Sequence, residues 1–456
     1  MSKKIGVVVA LVGVCALSLF LLNCGSSSSR PSGLLYVLTQ GSNGTGNNVS
    51  LFAIDLNSGN LSLINSKAST CATAGACGLP LDIVLDPKGA AAFVLNQGIA
   101  TATPAVPPTI YPYTVNSDGS LSTPGTPVSW NCIGPSASSC TSYPDTAAAM
   151  ARDSVGQFLF VIDQGEIPSP TTCPLVGQGV KNSTDAQNFI GCPSISVFAT
   201  QPGSATLTFV SQSSTYQSPF FISKIPSALS AATVSSPSEE LLFVTSNKDL
   251  SNNHNDNTLS VYGVGSDGTL TEKIGSPYAT STINPLSVLA VNTNQPGQNN
   301  GGGVFIYVGA AGNAAGALDA FQLCTVAGIA GCTQSDVANA RLLPVGTSPT
   351  STGQNPVGMV VDPTNNFLYV VCEVQNAVYG YRIFSTTGVL TVQSPANQQT
   401  GSQPVALAIH SSGKFLYTSN STANNISGFT LSTTSGSMSA LNPVNSPAGP
   451  SGMAAR

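Results

Sequence analysis

The chain has 456 residues, only 7% of them charged, with 19 acidic and 14 basic side chains for a net charge of −5. Soluble domains usually carry about 25% charged residues, and no stretch here clusters Lys or Arg with aromatics, which argues against a nucleic-acid partner. The 45 Gly and 31 Pro suit short strands joined by turns, while the apolar content is too high and too regularly placed for a disordered chain.

Lys3 and Lys4 precede an apolar run from Ile5 to Leu22, followed by Asn23, Cys24, Gly25 and four serines. A basic end, an apolar middle and a small polar stretch predict a secretory signal over residues 1–23. Leu21-Leu22-Asn23-Cys24 resembles a bacterial lipobox, in which the Cys becomes lipid-modified; Asn23 departs from the small residue usual there. Cys24 is the expected lipid attachment, with residues 24–32 as a flexible tether. The alternative is an uncleaved membrane anchor. Either places the bulk of the chain, as a monomer, outside the cytoplasm in the cell envelope.

After the tether the chain opens with "GLLYVLTQ" and "VSLFAIDLNSGNLSLI", the later strands of a unit with no first strand. "LPLDIVLDPKGAAAFVLNQG" and "TIYPYTVNSDGSL" make the next unit. "TAAAMARDSVGQFLFVIDQG" and "SISVFATQPGSATLTFV" make another. "AATVSSPSEELLFVTSN" with "NTLSVYGVGSDGTL" is a fourth, and "PLSVLAVNTN", "GVFIYVGAAG" and "GALDAFQL" a fifth. The last two repeat without a gap: "NPVGMVVDPTNNFLYVVCEVQNAVYGYRI" and "QPVALAIHSSGKFLYTSNSTANNISGFTL". Each reads as four antiparallel strands at a period of roughly fifty residues, the signature of a β-propeller.

The chain ends "GPSGMAAR", a first strand without a successor. Joined to the opening strands it completes one unit, giving an all-β, seven-bladed propeller over residues 33–456 closed by its own termini. Met453 is expected in one sheet with Tyr36. Phe367, Tyr369, Phe415 and Tyr417 are read as packing between blades. Asp86, Asp362 and His410 fall at equivalent turns.

Of eleven Cys, eight form close sequential pairs in Gly-, Ser- or Pro-rich segments: Cys71 and Cys77, Cys132 and Cys140, Cys173 and Cys192, Cys324 and Cys332. Local disulfides are expected there in an oxidising compartment. Cys372 is left inside an apolar strand as a buried thiol. With two His and no C-x-x-C, no metal or cofactor is expected. The loop Asn247–Asn257 offers oxygen ligands to calcium but reads as an ordinary polar turn.

The phrase P-x-x-x-x-x-[DH], then a turn, F-L-Y-V and a later G-x-L, resembles the bacterial lactonase-family seven-bladed propellers, among them the propeller-type phosphogluconolactonases. The resemblance implies a lactonase, a metal-independent carboxylic-ester hydrolase acting on a sugar-acid lactone. It also implies site residues. Where the family writes P-H-x-H, this chain has Pro144-Asp145-Thr146-Ala147, and where it writes P-R-H, Pro356-Val357-Gly358. Asp163 and Glu373 match the acids that end the following strands, and Arg152 is the one cation expected near the channel. These three are the candidate catalytic residues. Lactone opening needs a base and an oxyanion donor, and the basic partners are missing. The leading expectation is therefore a lipid-anchored binding propeller for a protein or glycan, with the lactonase as alternative and a purely structural envelope role as a third reading. Long loops, Gln164–Pro193 and Cys324–Pro349, would shape its surface.

Overall fold

In the last two repeats the second strands, Phe367–Cys372 and Phe415–Asn420, both open on the apolar run Phe-Leu-Tyr, and every residue in them is buried. A strand with one wet face would alternate apolar and polar residues, so these strands must be covered on both sides. The computed structural model describes residues 33–41, 47–70, 78–98, 108–129, 147–153, 155–163, 179–180, 194–214, 218–225, 239–248, 257–294, 302–312, 314–328, 331–346, 349–447 and 449–456. It shows seven antiparallel sheets, each a blade, arranged in a ring.

Blade 1 holds Leu34–Thr39, Asn48–Ile54 and Leu61–Ser69, with Pro450–Ala455 as its innermost strand. Blade 2 runs from Pro80–Leu85 through Ala91–Asn96 and Thr109–Thr114 to Val128–Ser129. Blade 3 is Ala147–Arg152, Phe158–Asp163, Ser194–Thr200 and Leu207–Ser214, with Gly179–Val180 outside. Blade 4 begins at Ser218–Ile225 and continues through Glu240–Lys248 and Thr258–Val264. Blade 5 begins at Pro285–Asn292, followed by Val304–Ala310 and Gly316–Leu323. Blades 6 and 7 begin at Pro356–Val361 and Pro404–Ile409.

The innermost strands touch in cyclic order around a central channel. The ring closes as expected: Leu34–Thr39 pairs antiparallel with Pro450–Ala455, placing Val37 opposite Met453 and Tyr36 opposite Ala454. One element differs from its sequence reading. The first strand of blade 4 is Ser218–Ile225 instead of the "AATVS" stretch at residues 231–235, which lies outside the described residues. "SPFFISKI" carries the aromatic and β-branched residues that favour a strand, and its Phe221 pairs with Thr245.

The core is divided among the seven junctions. Leu34, Tyr36 and Leu38 pack into the layer shared with blade 2, while Leu35 and Val37, between them in sequence, pack into the layer shared with blade 7. Period-two alternation thus sends neighbouring residues of one strand into two different cores. Phe367 and Tyr369 pack with Phe429 and Leu431 of blade 7, and Phe415 and Tyr417 with Val37 and Phe52 of blade 1.

The F-x-Y letters of the second strand and the Gly of the later turn are two halves of one contact. Tyr36 donates its hydroxyl to Gly119 O (2.7 Å), Tyr307 to Gly388 O (2.8 Å), Tyr369 to Gly436 O (2.8 Å) and Tyr417 to Gly59 O (2.8 Å), each reaching the next blade. Blades 2, 3 and 4 have Phe93, Phe160 and Phe243 where these tyrosines stand. Gly436 has φ +71°, and a Cβ there would sit 2.3 Å from the ring of Phe367. Gly436→Ala is expected to destabilise by roughly 3 kcal/mol, combining left-handed strain with overpacking. Tyr369→Phe, which removes only the hydroxyl, should cost about 1 kcal/mol. Urea denaturation midpoints of the two variants check this ordering.

Candidate functional site

The ring has two faces. The second strands end at the upper face, and the turns carrying Asp86, Asp153, Asp362 and His410 lie at the lower one. In those turns the residue's own N–H closes the hairpin, as in Asp362 N to Phe367 O (2.9 Å) and His410 N to Phe415 O (2.9 Å).

At the upper face each first strand starts with a break in register: between Pro80 and Asp82, Ala147 and Ala149, Pro285 and Ser287, Pro356 and Gly358, and Pro404 and Ala406. The residues ahead of three of these prolines, Asn284, Asn355 and Gln403, have positive φ. A bulge re-aims the side chains around it, so each of these blades turns its first residues toward the channel mouth.

The second-strand residues opposite the start of each first strand form a buried ring: Thr39, Asn96, Asp163, Ser246, Ala310, Cys372 and Asn420, each at most 1% exposed. Asn96 donates to Thr70 O (2.6 Å), and Asn420 lies 2.9 Å from Ser427 Oγ. This register corrects one expectation. Asp163 pairs with Ala147, but the residue paired with Pro356 is Cys372, so Glu373 stands one position further on. One residue along a strand reverses the side chain's face. Asp163 is sealed inside, whereas Glu373 is half-exposed on the rim and accepts a hydrogen bond from Gln403 Nε2 of blade 7 (2.9 Å). Gln403 in turn accepts from Thr422 Oγ1. Asn247 likewise lies one place beyond Ser246 and contacts Asn284 (3.1 Å).

Arg152 does not join them. It pairs with Leu159 at the lower end of its hairpin, roughly 13 Å along the strand from Asp163 at ~3.3 Å per residue. Its guanidinium is 3.2 Å from Asp86 Oδ1 of blade 2, donates to Gly156 O (3.0 Å) and Thr200 Oγ1 (2.9 Å), and lies 4.8 Å from the Phe93 ring centroid. Burial lowers the pKa of Arg152, and Asp86 acts in the opposite sense. Asp86 Oδ2 also accepts from Lys88 N and Gly203 N, both 3.0 Å. Arg152 is thus a tie between blades 2 and 3, shielded from the channel.

Sequence reasoning passed over Asp82. It sits on the innermost strand of blade 2, half-buried, and accepts from its neighbour Ile83 N (2.8 Å) and from Met150 N of blade 3 (3.0 Å). Burial pushes its carboxyl up, against the pull of those two N–H groups. The signal was a lone acid inside "PLDIVL", where the later repeats read "PVGMVV" and "PVALAI". A carboxyl raised by burial can serve as a base. Among the described side chains no cation joins Asp82, Asp163 and Glu373 to serve as an oxyanion donor.

Cys372 is buried with its thiol 3.4 Å from Thr352 Oγ1, and burial pushes it up to about 11. The Cys324–Cys332 disulfide is present and precedes a short helix, Gln334–Ala338, capped by Thr333. Cys24, Cys71, Cys77, Cys132, Cys140, Cys173 and Cys192 lie outside the described residues, as does nearly all of the loop Gln164–Pro193. Only the ends of the Asn247–Asn257 loop are described. Among the described residues no helix is long and apolar enough to cross a membrane.

Seven antiparallel blades, with Leu34–Thr39 and Pro450–Ala455 joined in one sheet, define a closed seven-bladed β-propeller with acids at its upper mouth. Residues 334–450 match the family model described as lactonase, 7-bladed beta-propeller. Among solved structures, the periplasmic gluconolactonase of Pseudomonas aeruginosa is similar at a TM-score of 0.62 and 16% identity, covering 92% of this chain and 99% of that one. A Bacteroides fragilis protein with a provisional 6-phosphogluconolactonase assignment aligns at a TM-score of 0.61 and 13% identity, covering 94% and 99%. A Lactobacillus plantarum protein gives 0.61 and 11% identity, covering 93% and 99%. At these identities the likeness is one of fold. No curated protein matches the sequence.

Proposed function

We propose that this chain is an exported, lipid-anchored propeller whose upper face binds a neutral, hydroxyl-rich ligand, a glycan. One observation carries the reading: Arg152 is committed to Asp86, while the rim offers carboxylate, amide and hydroxyl groups in the linked set Glu373, Gln403 and Thr422. Carboxylates and amides exchange hydrogen bonds with sugar hydroxyls, whereas an anionic sugar acid calls for cations. Val374, half-exposed beside Glu373, adds apolar surface. Export rests on the basic start, the apolar run and Cys24, and the Cys324–Cys332 disulfide supports an oxidising compartment. Calorimetry of the full-length protein in detergent against neutral oligosaccharides tests the binding. A saturable signal lost in the Glu373→Ala, Gln403→Ala double variant is expected, and binding that survives it would remove the rim from the proposal. Labelled palmitate incorporation, absent in Cys24→Ser, tests the anchor.

The second reading, a lactonase, draws on Asp82 and on the gluconolactonase among the similar structures. The expected result is no hydrolysis of glucono-lactone above the uncatalysed rate. Turnover that disappears in Glu373→Gln or Asp82→Asn would establish the hydrolase instead.

A further inference from the structure

The outer strand of blade 5 leaves its ladder part-way. Leu342–Pro344 pairs with Phe321–Leu323 and Thr350–Thr352 with Gly316–Leu318, so Asp319 and Ala320 have no strand residue opposite them on that edge. The same interruption in blade 4 is filled by the chain itself: Ser276 Oγ accepts from Val261 N (2.9 Å) and donates to Glu272 (2.8 Å). In blade 5 the described residues at this place line a cavity of about 280 Å³, among them Thr280, Ser281, Asp319, Phe321, Val345 and Pro349.

Asp319 is 6% exposed. It accepts from the Ser281 hydroxyl and from Thr282 N (3.3 Å), and among the described residues no cation stands within ion-pair distance of it. Burial pushes its carboxyl up, with the Ser281 and Thr282 donors opposing. A carboxylate enclosed with neutral donors alone lacks charge compensation. The Phe321 ring, tilted against Tyr278 with centroids 6.5 Å apart, supplies an aromatic wall. Acid and aromatic side by side are what an ammonium group seeks.

We propose that this cavity between blades 4 and 5 binds a small ammonium-bearing ligand with a compact apolar body, its cation set against Asp319 and its body against Phe321, Val345 and Pro349. The volume falls just under the ~300–1,000 Å³ of drug-sized sites, so the occupant is a small amine. The site lies on the outer part of the ring and is independent of the channel mouth.

Calorimetry of the full-length protein with phenethylamine, phenethyl alcohol and phenylacetate tests the proposal. The amine is expected to bind saturably, with the alcohol and the anion on the order of tenfold weaker or more, since a charge-assisted contact is lost. Asp319→Asn should weaken the amine by about the same factor. Ala279→Trp, at an exposed lining position, should block all three and covers the case in which Asp319→Asn does not fold. Absence of saturable amine binding, equal affinity for amine and alcohol, or an amine isotherm unchanged in either variant would overturn the site.

Discussion

A chain truncated after Gly449 is expected to lose its cooperative fold. The deletion removes the innermost strand of blade 1 and with it the ladder from Leu35 opposite Ala455 to Thr39 opposite Pro450. Met453, 7% exposed, leaves the layer it shares with Phe415 and Tyr417. Three cross-blade bonds go as well: Ser451 Oγ to Pro80 O (2.8 Å) and Arg456 Nη1 to Gly89 O (3.1 Å) on one side, and Ser419 Oγ to Ser451 O (2.5 Å) on the other. What remains exposes Leu34–Thr39, now wholly buried, as an apolar edge strand, the kind of surface that pairs with other chains. The loss should be on the order of 5 kcal/mol or more, comparable with the whole stability of many domains. Size-exclusion chromatography should show oligomers, and urea unfolding a broad transition or none. A monomer with the full-length midpoint would mean that the termini do not hold the ring shut.

Arg152→Met should also be costly, and its cost distinguishes a structural residue from a catalytic one. The Arg152 and Asp86 side chains are 5% and 0% exposed. Removing the cation strands a buried carboxylate, an effect of about 3–5 kcal/mol. Adding Asp86→Asn to Arg152→Met should restore much of that loss, because the neutral amide no longer demands a partner. Denaturation midpoints of the two single variants and the double variant complete the cycle. If Arg152 served catalysis at the channel, the single variant would unfold near the wild-type midpoint while abolishing whatever turnover the protein has.

The fold was legible because its rules repeat. The aromatics of "FLYVV" and "FLYTS" announced packing between blades, and the incomplete units at residues 33 and 456 announced how the ring closes. Blade 4 was misread at its start, because two stretches competed for one strand and the phrase grammar favoured the one nearer "LLFVTSN". The site was far less legible. Glu373 aligned with Asp163 by eye, yet a single residue of register separates them and sends one inward and the other to the rim. Arg152 looked free in one dimension, because its partner Asp86 lies a whole blade earlier in the chain. Asp82 was hidden by its apolar company. Pairings of this kind depend on which side chains meet across a junction, and periodicity within one repeat carries no record of that.

The seam between the two ends also sets a timetable. A ribosome makes Leu34 well before Met453, yet the two segments share one sheet. The earlier strand must therefore wait, unfinished, until the later one emerges, while the intervening blades can build on one another as they appear. Closing a loop that holds six other blades is the slow kind of contact to make. Any factor that shields apolar strands beforehand accordingly has a client in Leu34–Thr39, whose inner neighbour arrives late.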